Sequence, residues 1–307
     1  MTEVPRKPIT VPDILARKRE GVPVVMVTSY DATMTRLIDA CDVDIVLVGD
    51  SLGMVVQGHA HTLEVELDDV VYHARCVRRA LRHAHLCADM PFMSYQVSVE
   101  QALTNAGQLI RKGGATSVKI EGGESVAPAI AKIVAAGIPV MGHLGLTPQS
   151  VHAFGGFKVQ ARDEAAADKL RREAKLLEQI GCFALVLEGI PATLAREVSQ
   201  SLSIPTIGIG AGVGCDGQVL VIHDLLGLDD GFQPKFVKRF AELAAPIRSA
   251  VSDYAREVRA REFPGVEHSF GPGRSAAPAP APAPGVLPTE NEEPPAEPRR
   301  RAGYGPG

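Results

Sequence analysis

The sequence predicts a (β/α)8 barrel, and three observations lead there. Short runs rich in Val and Ile recur eight times, at 24–28, 45–48, 86–88, 117–120, 139–141, 183–187, 205–209 and 219–222. Each is apolar nearly throughout and ends abruptly in polar residues or glycine, as parallel strands covered on both faces do. Helical patterns lie between the runs. Eight such units within about 250 residues fit a barrel better than a doubly wound sheet, which more often has five or six strands.

The elements follow in chain order. Residues 1–10 read as an N-terminal arm, ahead of a barrel domain over 11–270. After the second run, Val70, Ala74, Val77, Leu81 and Ala84 keep the spacing of one buried helical face from Asp68 onward, with arginines and histidines on the other. Beyond the third run, Ser98 and Gln101 form a capping-box pattern; Val99, Ala102, Leu103, Ala106, Leu109 and Ile110 continue it to a stop at Gly113. The connection over 143–162 is long for a strand-to-helix loop and contains Gly155-Gly156, which predicts a flap over the site. A further helix spans 164–180 and stops at Gly181. The last 37 residues, 271–307, hold 10 of the 23 prolines and predict a disordered Pro/Ala-rich tail.

Composition narrows the function. The net charge is -4, and the tail's four arginines and four glutamates cancel, so the barrel region keeps all of it. A mildly acidic body lacks the footprint of a nucleic-acid binder. No run of about 18 apolar residues predicts a membrane span, and 1–10 has no apolar core of a signal peptide, so a cytoplasmic protein is expected. Cys41, Cys76, Cys87, Cys182 and Cys215 are odd in number and lack CxxC spacing, which predicts buried free thiols. Only Cys215, in a glycine-rich loop, invites a check of reactivity.

Barrel active sites gather at the C-terminal ends of the strands. Here those ends carry Asp50, Asp89, Glu121, His143 and Glu188. In Val118-Lys119-Ile120-Glu121 the period of two turns Lys119 and Glu121 toward the barrel mouth and the aliphatics toward the helices. One reading is a buried Lys–Glu ion pair. The other follows from the surplus of carboxylates over lysines at this rim, which calls for a further cation. Carboxylate oxygens without a Cys/His cluster suit Mg2+, with Asp50 and Asp89 as ligands and Glu121 as a third. His59-Ala60-His61 reads as a solvated loop, and the run Gly208, Gly210, Gly212 and Gly214 fits either a phosphate site or close backbone packing. No P-loop or GxSxG pattern is present.

At these residues the sequence resembles the ketopantoate hydroxymethyltransferase family. The likeness lies in TSYD from Thr28, VGDSLGMVVQGH from Val48, ADMPFMSY from Ala88, VKIEGG from Val118 and GHLGLTPQSV from Gly142. It continues in FGGFKVQ from Phe154, VLEGIP from Val186, IPTIGIGAG from Ile204, CDGQVLV from Cys215 and EHSF from Glu267. Departures are small: Ala60-His61 stands where the family often has acidic or hydroxyl residues, and Gly189 where it often has Cys or another small residue. The resemblance implies a barrel of the phosphoenolpyruvate/pyruvate type, assembled as a homodecamer. It implies transfer of a hydroxymethyl group from 5,10-methylenetetrahydrofolate to the 2-oxo acid 3-methyl-2-oxobutanoate, giving 2-dehydropantoate and tetrahydrofolate through a Mg2+-stabilised enolate. It also implies Asp50, Asp89 and Glu121 as metal ligands, Asp50, Ser51, Asp89 and Lys119 as substrate contacts, and Glu188 as catalytic base. His143 is a candidate auxiliary partner of the base or substrate. Two other readings are a carbon–carbon lyase of the isocitrate-lyase type, whose KKCGH-like segment is absent here, and a non-catalytic barrel scaffold.

Overall fold

The computed structural model describes residues 6–229, 231 and 234–270. The tail expected over 271–307 lies outside the described residues, as do the first five residues of the expected arm. The described residues divide into two compact units, with the boundary between Ala250 and Val251.

In the first unit eight parallel strands close a barrel in sequence order: β1 (Val24–Thr28), β2 (Ile45–Val48), β3 (His85–Asp89), β4 (Ser117–Glu121), β5 (Val140–Gly145), β6 (Ala184–Glu188), β7 (Thr206–Ile209) and β8 (Gly217–Leu220). β8 returns to β1 with Val24 opposite Gly217 and Met26 opposite Val219. The eight expected strands are thus present, but several edges differ. β3, β4 and β5 run on past their apolar cores, since Asp89 pairs with Lys119, Glu121 with His143 and Gly145 with Glu188. A backbone ladder does not require an apolar side chain, and these polar side chains face inward. β8 begins two residues before the expected 219–222, and Val221 already caps the next helix. Its opening glycine fits a tight spot, because a Cβ on Gly217 would lie 2.4 Å from the Val24 carbonyl oxygen.

The helices are α1 (Val11–Glu20), α2 (Ala32–Asp39), α3 (Leu52–Val55), α4 (Leu67–Ala80), α5 (Val99–Arg111) and α6 (Ala127–Ala135). They continue with α7 (Val151–Phe154), α8 (Glu164–Gln179), α9 (Ala192–Ser201), α10 (Ile222–Leu226) and α11 (Ala244–Ala260). α4 shows the expected buried stripe of Val70, Ala74 and Val77 but ends at Ala80. Leu81 there turns to an extended backbone, so Leu81 and Ala84 are buried in the link to β3 rather than on the helix. Ser98 caps α5 by accepting from the Gln101 N–H at 3.1 Å. The reciprocal half of the expected capping box is missing, since Gln101 Oε1 has no hydrogen-bond partner. α8 and its Gly181 stop, at φ +98°, are as expected.

Strand alternation sorts the interior into two cores. Val46, Val48, Leu86, Ala88, Val118, Ile120, Leu185 and Leu187 point outward into the layer shared with the helices. Met26, Ile45, Leu47, Cys87, Met141, Ala184, Val186, Ile207 and Val219 fill the barrel. Ile14 of α1 joins this inner group and is fully buried. Cys87 and Cys182 are buried as expected. Cys41, just beyond α2, is exposed instead, while Cys76 and Cys215 are half-buried and all five are free. Burial pushes the Cys215 thiol up, which disfavours the reactive thiolate. Among the described residues no helix is long and apolar enough to cross a membrane.

In the second unit the ring of Phe263 packs between Tyr254 and His268, at 5.5 and 5.3 Å.

Candidate active site

Because the strands are parallel and in register, their C-terminal ends form one rim. Asp50 follows β2, Asp89 ends β3, Lys119 and Glu121 lie on β4, His143 lies on β5 and Glu188 ends β6. Five of these side chains are buried: Asp50, Asp89, Lys119, Glu121 and His143. Glu188 keeps some exposure, with 15% of its side chain accessible. The alternation expected for β4 is observed, with Val118 and Ile120 in the outer core and Lys119 and Glu121 at the site.

Lys119 is the hub. Its Nζ lies 3.1 Å from Asp89 Oδ1, 3.9 Å from Glu121 Oε1 and 3.3 Å from His143 Nδ1. His143 in turn reaches Glu121 Oε1 at 3.3 Å and, through Nε2, Glu188 Oε2 at 3.2 Å, both off the line of a good hydrogen bond. Asp89 Oδ2 accepts the Asp50 N–H at 2.9 Å. Ser51 meets the Tyr30 hydroxyl at 2.8 Å, and Tyr30 is fixed through its carbonyl by His73 Nδ1 at 2.7 Å. All the residues expected at the site therefore converge here.

The electrostatics follow from burial of more anions than cations. Burial raises the Asp50 carboxyl well above its usual range, and the neighbouring Asp89 and Glu121 add to the rise. Burial also raises Asp89, against the pull of Lys119. Burial acts the same way on Glu121, but the His143 ring 3.3 Å away and the positive charges of His143 and Lys119 carry it below the ordinary value. For Lys119 burial favours the neutral amine, yet Asp89, Glu121 and Asp50 outweigh it and hold the ammonium charged. Burial and Lys119 press His143 downward, while Glu121 and Glu188 on either side lift the ring to about 9. A protonated ring cannot accept from Lys119, so the Lys119 contact and the two carboxylate contacts compete for its protonation state.

The donor set suits a hard cation in kind. Asp89 Oδ1 and Glu121 Oε1 are buried and accept no aligned hydrogen bond, and Asp50 is burdened by neighbouring negative charge. Among the described residues no three His, Cys, Asp or Glu side chains close into a ligand cage. An ion bound here would use one or two carboxylates and complete its shell with water and substrate oxygens, as Mg2+ commonly does.

Two residues without an expected role belong to this cluster. Gln149, on the 3-10 turn Pro148–Ser150, donates from its side chain to Asp50 Oδ2 at 2.8 Å and from its backbone to Glu121 Oε2 at 3.0 Å. The Tyr95 hydroxyl donates to Gln149 Oε1 at 2.7 Å. Both lie inside the family-like segments, but neither spacing nor charge marked them. The segment around them also bears on the expected flap: the Leu146 N–H bonds the Glu188 carbonyl at 2.8 Å, and the His152 and His61 rings meet at 5.1 Å. His61 is thus half-buried beside the His152 ring of α7 rather than freely solvated, while His59 is exposed as expected. The glycine run serves close packing. A Cβ on Gly212 would lie 2.5 Å from Ala192 Cβ, and one on Gly214 would lie 2.7 Å from Arg196 Cβ.

A closed parallel barrel with buried carboxylates, a lysine and a histidine at the C-terminal rim defines a (β/α)8-barrel enzyme. The solved structures agree on the fold. A putative phosphonomutase from Burkholderia cenocepacia J2315 superposes with a TM-score of 0.55 at 15% identity, covering 81% of this chain and 99% of that one. A 2,3-dimethylmalate lyase, a member of the PEP mutase/isocitrate lyase superfamily, gives 0.53 at 14% identity, covering 84% and 87%. Sequence resolves the family within that fold. The ketopantoate hydroxymethyltransferase family model matches residues 8–266, and a 3-methyl-2-oxobutanoate hydroxymethyltransferase from Magnetococcus marinus is 55% identical over 86% of this chain and 99% of its own length. The chain belongs to the ketopantoate hydroxymethyltransferase family.

Proposed function

We propose that the protein transfers a hydroxymethyl group from 5,10-methylenetetrahydrofolate to 3-methyl-2-oxobutanoate, with uptake of water, giving 2-dehydropantoate and tetrahydrofolate for pantothenate biosynthesis. The observation that carries this reading is the family match over residues 8–266. A bound Mg2+ held by Asp50 and Asp89, with Glu121 beside them, would supply a Lewis acid at the 2-oxo and carboxylate oxygens of the keto acid.

The residues of the chain do the rest. Asp50, Ser51, Asp89 and Lys119 contact the keto acid, and Lys119 brings positive charge where negative charge develops on the 2-oxo oxygen. Glu188, the most accessible carboxylate of the rim, removes the C3 proton; without folate it trades that proton with solvent and returns one to C3, and with folate the proton passes to a nitrogen of the departing tetrahydrofolate. His143, 3.2 Å from Glu188 Oε2, orients that carboxylate. The resulting carbon nucleophile bonds to the folate-borne methylene as one of its carbon–nitrogen bonds breaks; water then supplies the hydroxyl group as the second carbon–nitrogen bond breaks, and the proton from C3 and one from water end on the nitrogens of tetrahydrofolate. The same reading includes a homodecamer acting in the cytoplasm; ten copies of the 32.5 kDa chain would scatter light as about 325 kDa.

The decisive experiment leaves out folate. The C3 hydrogen of 3-methyl-2-oxobutanoate is followed in deuterated water with the intact enzyme and Mg2+, with a chelator, and with Glu188→Gln. Exchange is expected only in the first case. No exchange by the intact enzyme, or full exchange by Glu188→Gln, would overturn the assignment of Glu188.

A further inference from the structure

Glutamine is mostly found exposed in proteins, yet Gln149 is 6% exposed and every hydrogen-bonding group of its amide is engaged. Nε2 donates to Asp50 Oδ2 at 2.8 Å and to the Met90 carbonyl at 3.0 Å. Oε1 accepts from the Tyr95 hydroxyl at 2.7 Å and from Gln96 Nε2 at 3.3 Å. The opposite amide orientation would set Oε1 against a carboxylate and a carbonyl, and Nε2 against another amide nitrogen. The two donors on one side and two acceptors on the other therefore admit one orientation.

The arrangement uses one oxygen of each of three rim carboxylates. Asp50 Oδ2 is held by the Gln149 side chain, Glu121 Oε2 by the Gln149 N–H, and Asp89 Oδ2 by the Asp50 N–H. The opposite oxygens of Asp89 and Glu121 remain without an aligned hydrogen bond and face Lys119 Nζ. Like charges this close would rotate apart unless each were anchored, and an aliphatic side chain could not anchor them.

We propose that Gln149 is a positioning residue, which pins one oxygen of Asp50 and one of Glu121 so that the carboxylates present their other oxygens to the keto acid and its cation. The proposal rests on the functional reading given above. It also ties the flap to the chemistry. Gln149 belongs to the connection between β5 and α8, so displacing that connection withdraws both anchors at once. Tyr95 acts one step further out, fixing the amide that fixes Asp50.

The test uses Gln149→Met, which keeps the side-chain length and the backbone N–H to Glu121 but removes the amide. Tyr95→Phe serves as a second variant should the first fold poorly. Three quantities are read on the full chain: the thermal midpoint, the affinity for Mn2+ alone by electron paramagnetic resonance, and kcat and KM for folate-free C3 exchange. Loss of a hydrogen bond to a charged group is expected to weaken Mn2+ binding and raise the keto-acid KM by about tenfold or more in Gln149→Met. Tyr95→Phe should shift both in the same direction by less. A lowered thermal midpoint with unchanged Mn2+ affinity and unchanged KM in both variants would overturn the proposal and leave Gln149 a structural residue. Absence of exchange by the unaltered enzyme would instead overturn the functional reading, and the Mn2+ titration would still decide the role of Gln149.

Discussion

Buried ionisable residues in this barrel have different partners at its two ends, and the partners decide their charge. At the rim Lys119 stays charged because three carboxylates surround it. At the opposite end of β3, His85 has only neutral partners, with Nε2 2.8 Å from Ser117 Oγ, and burial pulls its ring down to about 4. The unfolded chain takes up this proton near 6.5. Stability from a neutral His85 is therefore complete above pH 6.5 and is lost as pH falls from there toward 4. His85→Gln removes this titration, so its unfolding free energy in urea should fall by about 2 kcal/mol less than that of the parent between pH 7 and pH 5. Equal losses would refute a neutral buried His85. The candidate site was partly visible at this scale. Asp50, Asp89, Glu121 and Glu188 end apolar runs, which a reader of the chain can see. Gln149 ends nothing, and its anchors lie 99 and 28 positions away.

Elements show which local rules survive closure of the barrel. The Ser98 cap and the Gly181 stop depend on neighbours within a turn, and both are present. Strand ends behaved otherwise: β3, β4 and β5 continue through polar residues because the adjacent strand supplies the pairing partner whatever the side chain. β8 is the extreme case, since Gly217 and Gln218 look like loop but are paired on both sides. The same substitution should then have opposite signs in two elements. Gly217→Ala would push a methyl against the Val24 carbonyl and is expected to destabilise by about 1–3 kcal/mol. Gly107→Ala, in α5 with nothing within 4 Å of the new Cβ, should stabilise by up to about 1 kcal/mol through helix propensity. Urea midpoints of the two variants check this, and a shift in the same direction for both would refute it.

At the scale of the whole molecule, the inner core depends on a residue from outside the sheet. Ile14 of α1 belongs to the same buried inner cluster as Val24, Ile45 and Phe183. Ile14→Ala should cost about 2–5 kcal/mol, measured by denaturant unfolding, as for other large-to-small changes in a closed core. A cost under about 0.5 kcal/mol, the range of surface substitutions, would refute a core role for the Ile14 side chain. The sequence by itself determined the count of strands, their parallel burial and the carboxylate ends, because apolar runs, alternation and caps are written in neighbouring residues. It also contained the family motifs, which the match over residues 8–266 extends to nearly the whole barrel. Only the tertiary structure decided which oxygen of Asp50, Asp89 and Glu121 accepts a hydrogen bond, and that Gln149 and the Asp50 N–H donate them. Hydrogen bonds between residues so far apart in the chain exist only after the sheet has closed, and no local pattern encodes which side chain will meet which across the mouth of a barrel.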